Sequence, residues 1–307
     1  YILILLNKII MFYYLLLIII ILFSLFLIFL DTDWYHFNLE YWNQIYNSSF
    51  EEDYLKWYLS DKYNAKVFAQ KNGFDVPKTY QLCENIKDIK IPISNSKSKS
   101  NNNYVIKPRD LCNSHGVYIM KDGVNLMTNR KIDINEIRKE LVKCRAQVSQ
   151  KFYLANNMYK DKRIYSSGYI VEELLLNKDG SLPCDYKFYV FNGKVKFIVK
   201  TFNRNVENED QTFNSTWYTR SWIPIPFKMI KNGYKLTYHP KPDSLDKAIK
   251  LVEDISRKMG RHCRIDVYII EDKVYLGEFT FYGGAFLHTK ICNLMLGICW
   301  KIIPDKK

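Results

Sequence analysis

The chain has 307 residues, which is enough for one or two domains with a large buried core. Its formal net charge of +13 would suit nucleic acid or an anionic surface, but the lysines are scattered and neither zinc-finger spacing nor an aromatic RNA-binding signature is present. We therefore expect no nucleic-acid partner. The seven cysteines form no CxxC pair, which argues against a disulfide framework and a structural zinc site.

The first element of the chain is an uncharged apolar run. Residues 9–30 carry no charge, and the run matches the ~20 residues that a helix needs to cross a bilayer. A cleaved signal peptide is the alternative, but the run is longer than a typical signal-peptide core and no small-residue cleavage site follows it. We expect a single-pass membrane anchor over residues 1–30, and a connector with a first helix over residues 31–60.

A capped helix is predicted to follow. Asp61 has the character of an N-cap, and Asn72-Gly73 is typical of a helix end. Lys62 and Lys66 lie four residues apart and therefore share one face of this helix.

Two apolar strands carry charged residues. A polar tract over residues 94–103 is too poor in apolar side chains to pack, and the strand YVIKP after it contains Lys107, which is costly to bury without an anionic partner. The run YIVEELLL from Tyr169 contains Glu172 and Glu173, which face opposite ways on a strand. One of the two is free to face a site, and the other is expected to be pinned by a basic residue or exposed.

The segment DYKFYVFNGKVKFIVK, residues 185–200, is the clearest hairpin, because Asn192-Gly193 favours a two-residue type I′ turn. Pairing Phe191 with Lys194 predicts one apolar face and one polar face. The apolar face would hold Tyr186, Phe188, Val190, Val195, Phe197 and Val199, and the polar face Asp185, Lys187, Lys196 and Lys200. The polar face suits a bound polyanion and a solvated sheet equally well.

Little regular structure is predicted between this hairpin and the next helix. Residues 206–238 show no clear period and are expected to form an extended substrate-side or lid insertion. A helix is predicted from Asp243 or Ser244 to Met259, with Gly260 at its end.

A second hairpin, RIDVYIIEDKVYLGEFTF, spans residues 264–281. Pairing Ile270 with Val274 places Asp266 opposite Glu278 and Arg264 opposite Thr280, all on one face. The other face would hold Ile265, Val267, Ile269, Tyr275 and Phe279 as a core surface. Two opposed carboxylates suit Mg²⁺ whose shell is completed by phosphates. The alternative is that Asp266 pairs with Arg264 while Glu278 faces water.

Taken together, these segments resemble the TupA-like branch of the ATP-grasp superfamily. The motifs that carry the resemblance, in chain order, are DKY, VIKP, VEELL, DYKFYVFNGKVKFI, and RIDVY followed by GEFTF. The resemblance implies an α+β, ATP-grasp fold in which two α+β subdomains clamp a nucleotide. It places this domain over residues 61–300, with a flap subdomain at about 104–170 and a metal and nucleotide subdomain at about 171–300.

The resemblance also implies roles for individual residues. ATP and Mg²⁺ would be the cofactors, and Arg264 and Lys187 would act in catalysis. The nucleotide would contact Lys107, Lys62, Lys66, Lys187 and the strand end at Glu172, Glu173, Leu174 and Leu175. The metal would be held by Asp266, Glu278 and Thr280. Many ATP-grasp enzymes have Asn where this chain has Thr280, and the flap is less rich in glycine than we expect.

The activity implied is an ATP-dependent carboxylate ligase that forms an acyl phosphate, acting on a carboxylate or glycan substrate in polysaccharide or cell-surface polymer synthesis. Two alternatives stay open: a glycosyltransferase or phosphotransferase acting on a glycan, and a non-catalytic, membrane-tethered module that binds an anionic polymer. The side of the membrane is also open. Lys8 before the apolar run and Asp31 and Asp33 after it favour an external domain, whereas use of ATP favours the cytoplasm.

Overall fold

The computed structural model describes residues 2–29, 54–92, 103–111, 114–155, 168–205, 212–281 and 287–302. The predicted polar tract, residues 94–103, lies almost wholly outside these ranges. The helices are α1 (Ile2–Phe29), α2 (Tyr54–Ser60), α3 (Lys62–Lys71), α4 (Ile134–Ala155), α5 (Leu245–Met259) and α6 (Lys290–Ile302). The strands are β1 (Thr79–Cys83), β2 (Tyr104–Pro108), β3 (Tyr118–Lys121), β4 (Val124–Asn125), β5 (Arg130–Lys131), β6 (Tyr169–Glu173), β7 (Asp185–Phe191), β8 (Lys194–Asn205), β9 (Thr212–Thr219), β10 (Cys263–Ile270) and β11 (Lys273–Thr280).

The strands form two antiparallel sheets, which confirms the α+β class. The first sheet has six strands in the order β1-β6-β2-β3-β4-β5, and the second has five in the order β11-β10-β7-β8-β9. Each sheet has a hydrophobic core of its own. Leu174, just after β6, begins the stretch of chain that leads from the first sheet to β7 of the second.

Helix α1 is long and apolar enough to cross a membrane, and the side chains in its central stretch from Lys8 to Leu25 are not buried against the rest of the protein. A signal sequence near the N-terminus would have the same length and composition. The structure therefore agrees with the predicted apolar helix without deciding between an anchor and a signal sequence.

The predicted caps are present at both ends of α3 and at the C-terminal end of α5. The Asp61 carboxylate accepts hydrogen bonds from the backbone N–H groups of Tyr63 and Asn64, both at 2.9 Å, and thereby begins α3. Gly73, which follows the C-cap, has a φ of +87°, where glycine is favoured. Ser244 precedes α5, and Gly260 ends it with a φ of +67°. The Ser244 side chain makes no cap hydrogen bond to α5, and its hydroxyl instead donates to the carbonyl of Glu271 at 2.6 Å. Local chemistry therefore accounts for the ends of α3 and for the C-terminal end of α5, but not for the start of α5.

The second sheet is covered on both faces. One face packs against α3 and α5, around Phe188, Ile198 and Ile265. The other face packs against α6 and the loop after β9, around Phe197, Trp217 and Cys292. Strands that are buried on both sides carry apolar residues on both faces, so alternation alone does not identify their faces.

This double burial explains an error in the first hairpin. Asn192 and Gly193 form the predicted turn, with φ values of 48° and 67°, and Phe191 pairs with Lys194 as expected. The register then shifts by one residue, so that Tyr189 pairs with Phe197 and Lys187 with Val199. The predicted common face was wrong, because Phe197 and Val199 lie on the face opposite Phe188. The predicted basic face is therefore not formed, since Lys187 shares its face with apolar neighbours.

The region after β8 is more regular than predicted. Strand β9 pairs with β8 and is the fifth strand of the sheet. The chain from Ser221 to Pro240 then covers the free edge of β9. Ile225 N–H donates to the carbonyl of Trp217 at 2.8 Å, and Lys235 N–H donates to the carbonyl of Ser215 at 3.0 Å.

Candidate active site

The second hairpin brings the two predicted carboxylates together. Asp266 pairs with Glu278 and Arg264 pairs with Thr280, as predicted. The pairing near the turn was wrong, because Ile270 pairs with Lys273. An extra residue, Gly277, forms a bulge that restores the predicted register beyond it.

The one-residue difference in pairing near the turn also changes which side chains of β11 face the core. Val274 and Leu276 are buried in the core that this sheet shares with α3 and α5, whereas Tyr275, which we predicted to be in the core, is partly exposed. A one-residue slip moves every side chain to the other face of a strand. The bulge at Gly277 moves them back, which is why Glu278 and Phe279 lie on their predicted faces.

Two rows of side chains cross three neighbouring strands at this point. Strand β7 pairs with β10 so that Lys187 lies opposite Asp266 and Tyr189 lies opposite Arg264. One row is therefore Lys187, Asp266 and Glu278, and the next row is Tyr189, Arg264 and Thr280. Paired residues share a face, and residues two apart on a strand do as well, so the two rows form one cluster.

Asp266 is the buried centre of this cluster. Arg264 donates to both carboxylate oxygens of Asp266, from Nε at 2.7 Å and from Nη2 at 2.9 Å. The Lys187 ammonium also donates to Asp266, and to Asp185 at 2.6 Å. Burial raises the pKa of Asp266, but Arg264 and Lys187 outweigh burial and hold this pKa below its usual range. Asp266 is therefore ionised at neutral pH.

Glu278 lies on the solvent-exposed side of the cluster. Its side chain is 46% exposed. One oxygen accepts from Arg264 Nη2 at 3.1 Å and from the Thr280 hydroxyl at 3.3 Å. The guanidinium of Arg264 thus lies between the two carboxylates and removes their repulsion. The alternative pairing of Asp266 with Arg264 is present, but Glu278 also contacts the same arginine.

These side chains fit Mg²⁺ only together with further ligands. Among the described residues, no group of three or more His, Cys, Asp or Glu side chains is close enough to hold a metal ion. Two carboxylates with a nearby hydroxyl are the oxygen donors that Mg²⁺ accepts when substrate phosphates complete its shell. The donor set therefore suits a cation shared with a phosphorylated ligand and does not suit a metal site made of protein alone.

A second charged cluster lies on the first sheet. Lys107 on β2 and Lys66 on α3 both contact the carboxylate of Glu172, on β6, and the Lys66 contact is 2.9 Å. Lys66 also donates to the carbonyl of Pro77 and to the hydroxyl of Thr79. The anionic partner that a buried Lys107 requires is therefore Glu172, which is the glutamate pinned by basic residues.

The pKa values of Glu172 and Lys66 in this second cluster both lie below their usual values, for different reasons. Burial raises the pKa of Glu172, but Lys107 and Lys66 together hold it below the usual value. Burial also lowers the pKa of Lys66, and the attraction of Glu172 only partly offsets this effect. The Glu172 carboxylate is shared by two ammonium groups, so its attraction does not outweigh the effect of burial on the pKa of Lys66.

The other predicted nucleotide contacts lie near this cluster. Glu173 points away from Glu172, is exposed, and accepts from the backbone N–H of Lys78 at 3.0 Å. Leu174 and Leu175 lie just beyond the end of β6. The Lys62 ammonium donates to the carbonyl of Leu111, which lies three residues after the end of β2.

The structure therefore divides the predicted residues into two groups. Each described ion pair and side-chain hydrogen bond of Lys66, Lys107 and Glu172 stays within the first sheet, α3 and the loop that joins α3 to β1. The contacts of Arg264 and Asp266 stay within the second sheet. No ion pair between described residues joins the two clusters.

Sequence reasoning missed the buried support behind Arg264. Tyr189 lies opposite Arg264, and its hydroxyl is 3.2 Å from Nε2 of the buried His288. Burial raises the pKa of Tyr189, and the nearby Arg264 partly opposes this. His288 lies in the segment between β11 and α6, and nothing in the spacing of the sequence links it to Tyr189.

The family of the chain follows from a comparison with known proteins. The model of TupA-like ATP-grasp proteins matches residues 41–297, which include both charged clusters. The chain belongs to the TupA-like ATP-grasp family. Among curated protein sequences, none matches this ATP-grasp protein.

Several solved structures are similar to this TupA-like protein at low identity. D-Alanine-D-alanine ligase from Helicobacter pylori is 15% identical, with a TM-score of 0.41; the match covers 81% of this chain and 60% of that one. The enzyme of the same name from Bacillus anthracis is 13% identical, with a TM-score of 0.45 and coverage of 81% and 70%. L-Amino acid ligase from Bacillus licheniformis is 14% identical, with a TM-score of 0.43 and coverage of 79% and 48%. The chain thus spans about three fifths of the first of these structures.

Proposed function

We propose that this protein is a membrane-anchored, Mg-ATP-dependent carboxylate ligase that acts in the synthesis of a polysaccharide or another cell-surface polymer. The observation that carries the proposal is the cluster of Lys187, Arg264, Asp266, Glu278 and Thr280 on three neighbouring strands. It combines oxygen donors for a cation with two fixed positive charges, within a chain of ATP-grasp type.

The overall reaction would join a carboxylate to an amine. Mg-ATP, when bound, supplies the γ-phosphoryl group: the carboxylate oxygen attacks it, ADP leaves, and the amine then displaces phosphate from the acyl carbon as an amide forms and a proton is lost. Catalysis of this kind depends chiefly on positioning and charge neutralisation.

The residues of the second sheet would supply that neutralisation. Asp266 and Glu278 would hold Mg²⁺, with the Thr280 hydroxyl beside them. Arg264 and Lys187 are cationic and nearly buried, so their charges are little weakened by water. Both are held by Asp266, so they are fixed in place before any substrate arrives, which is the condition for efficient electrostatic stabilisation.

The residues of the first sheet would bind the nucleotide from the opposite side. Lys107 has the more exposed ammonium of the two that share Glu172, so it is the one placed to exchange that carboxylate for a phosphate oxygen. Lys66 would keep Glu172 compensated. The backbone at Glu173, Leu174 and Leu175 would meet the adenine. A nucleotide held in this way would connect the two clusters, which share no ion pair among the described residues.

The experiment that tests ligation is trapping of the activated carboxylate. Full-length protein in detergent would be incubated with Mg-ATP, a panel of amino acids and uronic acids, and hydroxylamine as a small amine acceptor. We expect carboxylate-dependent release of ADP and phosphate together with a hydroxamate product. ADP release without hydroxamate, or sugar transfer without ADP, would instead favour phosphotransferase or glycosyltransferase activity. No turnover and no nucleotide binding would favour the non-catalytic module.

Membrane attachment through α1 is the other half of the proposal. Its support is the length and apolar composition of that helix. Because the reaction consumes ATP, we place the catalytic domain on the cytoplasmic side. Protease added outside intact cells should leave the domain uncut, and cleavage without permeabilisation would contradict this placement.

A further inference from the structure

The chain after β9 forms a surface of unusual composition. Between Thr212 and Pro242 there is no Asp or Glu, while five basic residues occur: Arg220, Lys228, Lys231, Lys235 and Lys241. All five side chains are exposed. Arg220 and Lys241 pair with carboxylates of α5, at 2.9 Å and 2.7 Å. The positive charge of the other three is not balanced within this segment.

The same surface exposes large apolar side chains. In the edge segment, residues 221–240, these are Ile223 (61% exposed), Phe227 (50%), Leu236 (53%) and Tyr238 (77%). Leu287, which is 45% exposed, lies beside them, because its carbonyl accepts from the backbone N–H of Lys231 at 2.9 Å. Scattered exposed apolar residues are ordinary, but a group alternating with lysines marks an interaction site.

Buried side chains and hydrogen bonds hold the edge segment in place. The exposure of its apolar side chains is therefore not the result of a poorly packed loop. Ile225, Met229 and Ile230 point inward and are buried in the core of the second sheet. Backbone hydrogen bonds tie the segment to three residues of β9, Ser215, Trp217 and Thr219, and the Thr216 hydroxyl donates to the carbonyl of Lys235 at 2.6 Å. With one side fixed in the core, the other side presents Ile223, Phe227, Leu236 and Tyr238 outward.

We infer that the edge segment is a membrane-docking surface that binds the anionic headgroups of a lipid bilayer. Lysines attract anionic lipids, and aliphatic and aromatic side chains beside them insert at the level of the headgroups. Charge complementarity selects a negative partner, and the exposed Phe, Ile, Leu and Tyr side chains select a lipid surface over a soluble polyanion. The chain also carries, in α1, a helix long and apolar enough to enter the same bilayer.

The surface lies close to the candidate active site. The middle of the edge segment, at Ile225, Met229 and Ile230, packs on the face of the second sheet that also carries Tyr189, beside Arg264, while Trp222 at its start packs on the opposite face. His288 forms a bridge with Ile230 of the edge segment, and it contacts the Tyr189 hydroxyl. Docking through this surface would therefore hold the charged cluster near the bilayer, where a lipid-linked substrate is found. The inference does not depend on ligase activity, because binding is measured without nucleotide.

The test is hydrogen exchange on the full chain in lipid nanodiscs. Discs of phosphatidylcholine alone would be compared with discs that contain phosphatidylglycerol, both without nucleotide. Peptides over residues 221–240 should exchange roughly tenfold more slowly in the anionic discs, since each lysine near an anionic surface strengthens binding several-fold. Peptides from α5 should not change.

Two sets of variants identify the cause of the protection. The charge set replaces Lys228, Lys231 and Lys235 with Gln, and the apolar set replaces Phe227, Leu236 and Tyr238 with Ser. Both sets alter exposed side chains, and both should abolish the protection. A matched control replaces Lys247, Lys250 and Lys273, which are exposed elsewhere, with Gln and should keep it.

Two results would overturn the inference. One is equal exchange of residues 221–240 in the two kinds of disc. The other is protection that survives the apolar set and is reproduced by dextran sulfate in solution, because this would identify the surface as a site for an anionic polymer. Loss of Mg-ATP binding or of turnover would leave the lipid result unchanged, so the two proposals fail separately.

Discussion

Glu172 shows how one residue joins distant parts of the chain. Its carboxylate is buried on β6 and pairs with Lys107 of the neighbouring strand and Lys66 of α3. Helix α3 packs mainly on the second sheet, through Ala65 and Ala69. The pairing with Glu172 is therefore a contact between the first sheet and a helix of the second. The sequence showed that a buried Lys107 needs an acid, but the partner became clear only from the sheet order.

Replacing Glu172 with Gln should strongly destabilise the protein. The buried Lys66 and the partly exposed Lys107 would both lose their counter-charge. Loss of one partner from a buried ion pair costs about 3 to 5 kcal/mol. Urea unfolding of the variant and the parent measures this difference. Glu173→Gln is the control, because Glu173 is exposed, and its effect should stay within about 0.5 kcal/mol. Equal stability of Glu172→Gln and the parent would contradict the assigned pairing.

Two buried histidines, His262 and His288, should make the stability of the folded protein depend on pH. Burial lowers the pKa of His262 and of His288 to about 4, with nearby Arg264 acting in the same direction on both. Arg261 adds to this effect at His262, and Lys231 adds to it at His288. The hydrogen bond from His262 to the carbonyl of Val190 opposes the shift. Both imidazoles are therefore neutral in the folded protein above about pH 4.

The unfolded chain binds more protons than the folded protein between pH 6.5 and about 4, so stability is complete above pH 6.5 and falls as the pH falls through this window. Each histidine should cost about 2 kcal/mol between pH 6.5 and pH 5. Denaturant unfolding at several pH values measures the slope, and the double variant His262→Gln, His288→Gln should flatten it. A parent protein with equal stability at pH 7 and pH 5 would show that these rings are not buried and neutral.

At the scale of elements, the bulge at Gly277 determines which side chains reach the site. If Gly277 paired with Asp266 instead of bulging, the register of the turn would pair Glu278 with Ile265 and place it on the core face, away from Asp266. A Cβ at Gly277 would lie 3.0 Å from the carbonyl oxygen of Asp266, which is tighter than ordinary packing. At Gly277 the two strands therefore approach each other closely, and the bulge there places Glu278 on the same face as Asp266.

We expect Gly277→Ala to destabilise the protein by about 1 to 3 kcal/mol, as overpacking does, and to weaken Mg-ATP binding because Asp266 must move. Gly260→Ala is the matched control. Its φ of +67° makes it costly, but no atom lies within 4 Å of the added Cβ, so nucleotide affinity should be unchanged. Urea unfolding and ATP titration on both variants measure the two effects. An equal loss of nucleotide affinity in both variants would show that Gly277 has no particular role in placing Asp266.

The elements that sequence reasoning predicted well are those fixed by local chemistry. The cap at Asp61, the turn at Asn192-Gly193 and the end of α5 at Gly260 each depend on residues next to one another in the chain. The bulges in β8 and β11 were missed because each depends on which residues the other layers bury. Strand β9 and helix α6 were missed for the same reason, since both are stabilised by the core they share.

At the scale of the whole molecule, the main residues of both charged clusters were singled out from the sequence, and the family resemblance placed Lys107 and Asp266 in different subdomains. Periodicity placed Asp266 beside Glu278, and family resemblance supplied their roles. The sheet order shows that Lys107 and Asp266 belong to different sheets. A ligand that binds both would hold the two sheets together, so binding should raise the stability of the molecule as a unit.

The most direct test of Mg-ATP binding at Asp266 and Glu278 is the melting temperature of the full chain in detergent, measured with and without Mg-ATP. At a ligand concentration near 100 times Kd, binding adds about 2.7 kcal/mol, and a domain of this size should melt several degrees higher. The double variant Asp266→Asn, Glu278→Gln should lose the increase. The same replacements at the turn of the same hairpin, Glu271→Gln with Asp272→Asn, should keep it. If Mg-ATP does not raise the melting temperature of the parent protein, or raises that of the Asp266→Asn, Glu278→Gln variant equally, then Mg-ATP does not bind through these two carboxylates.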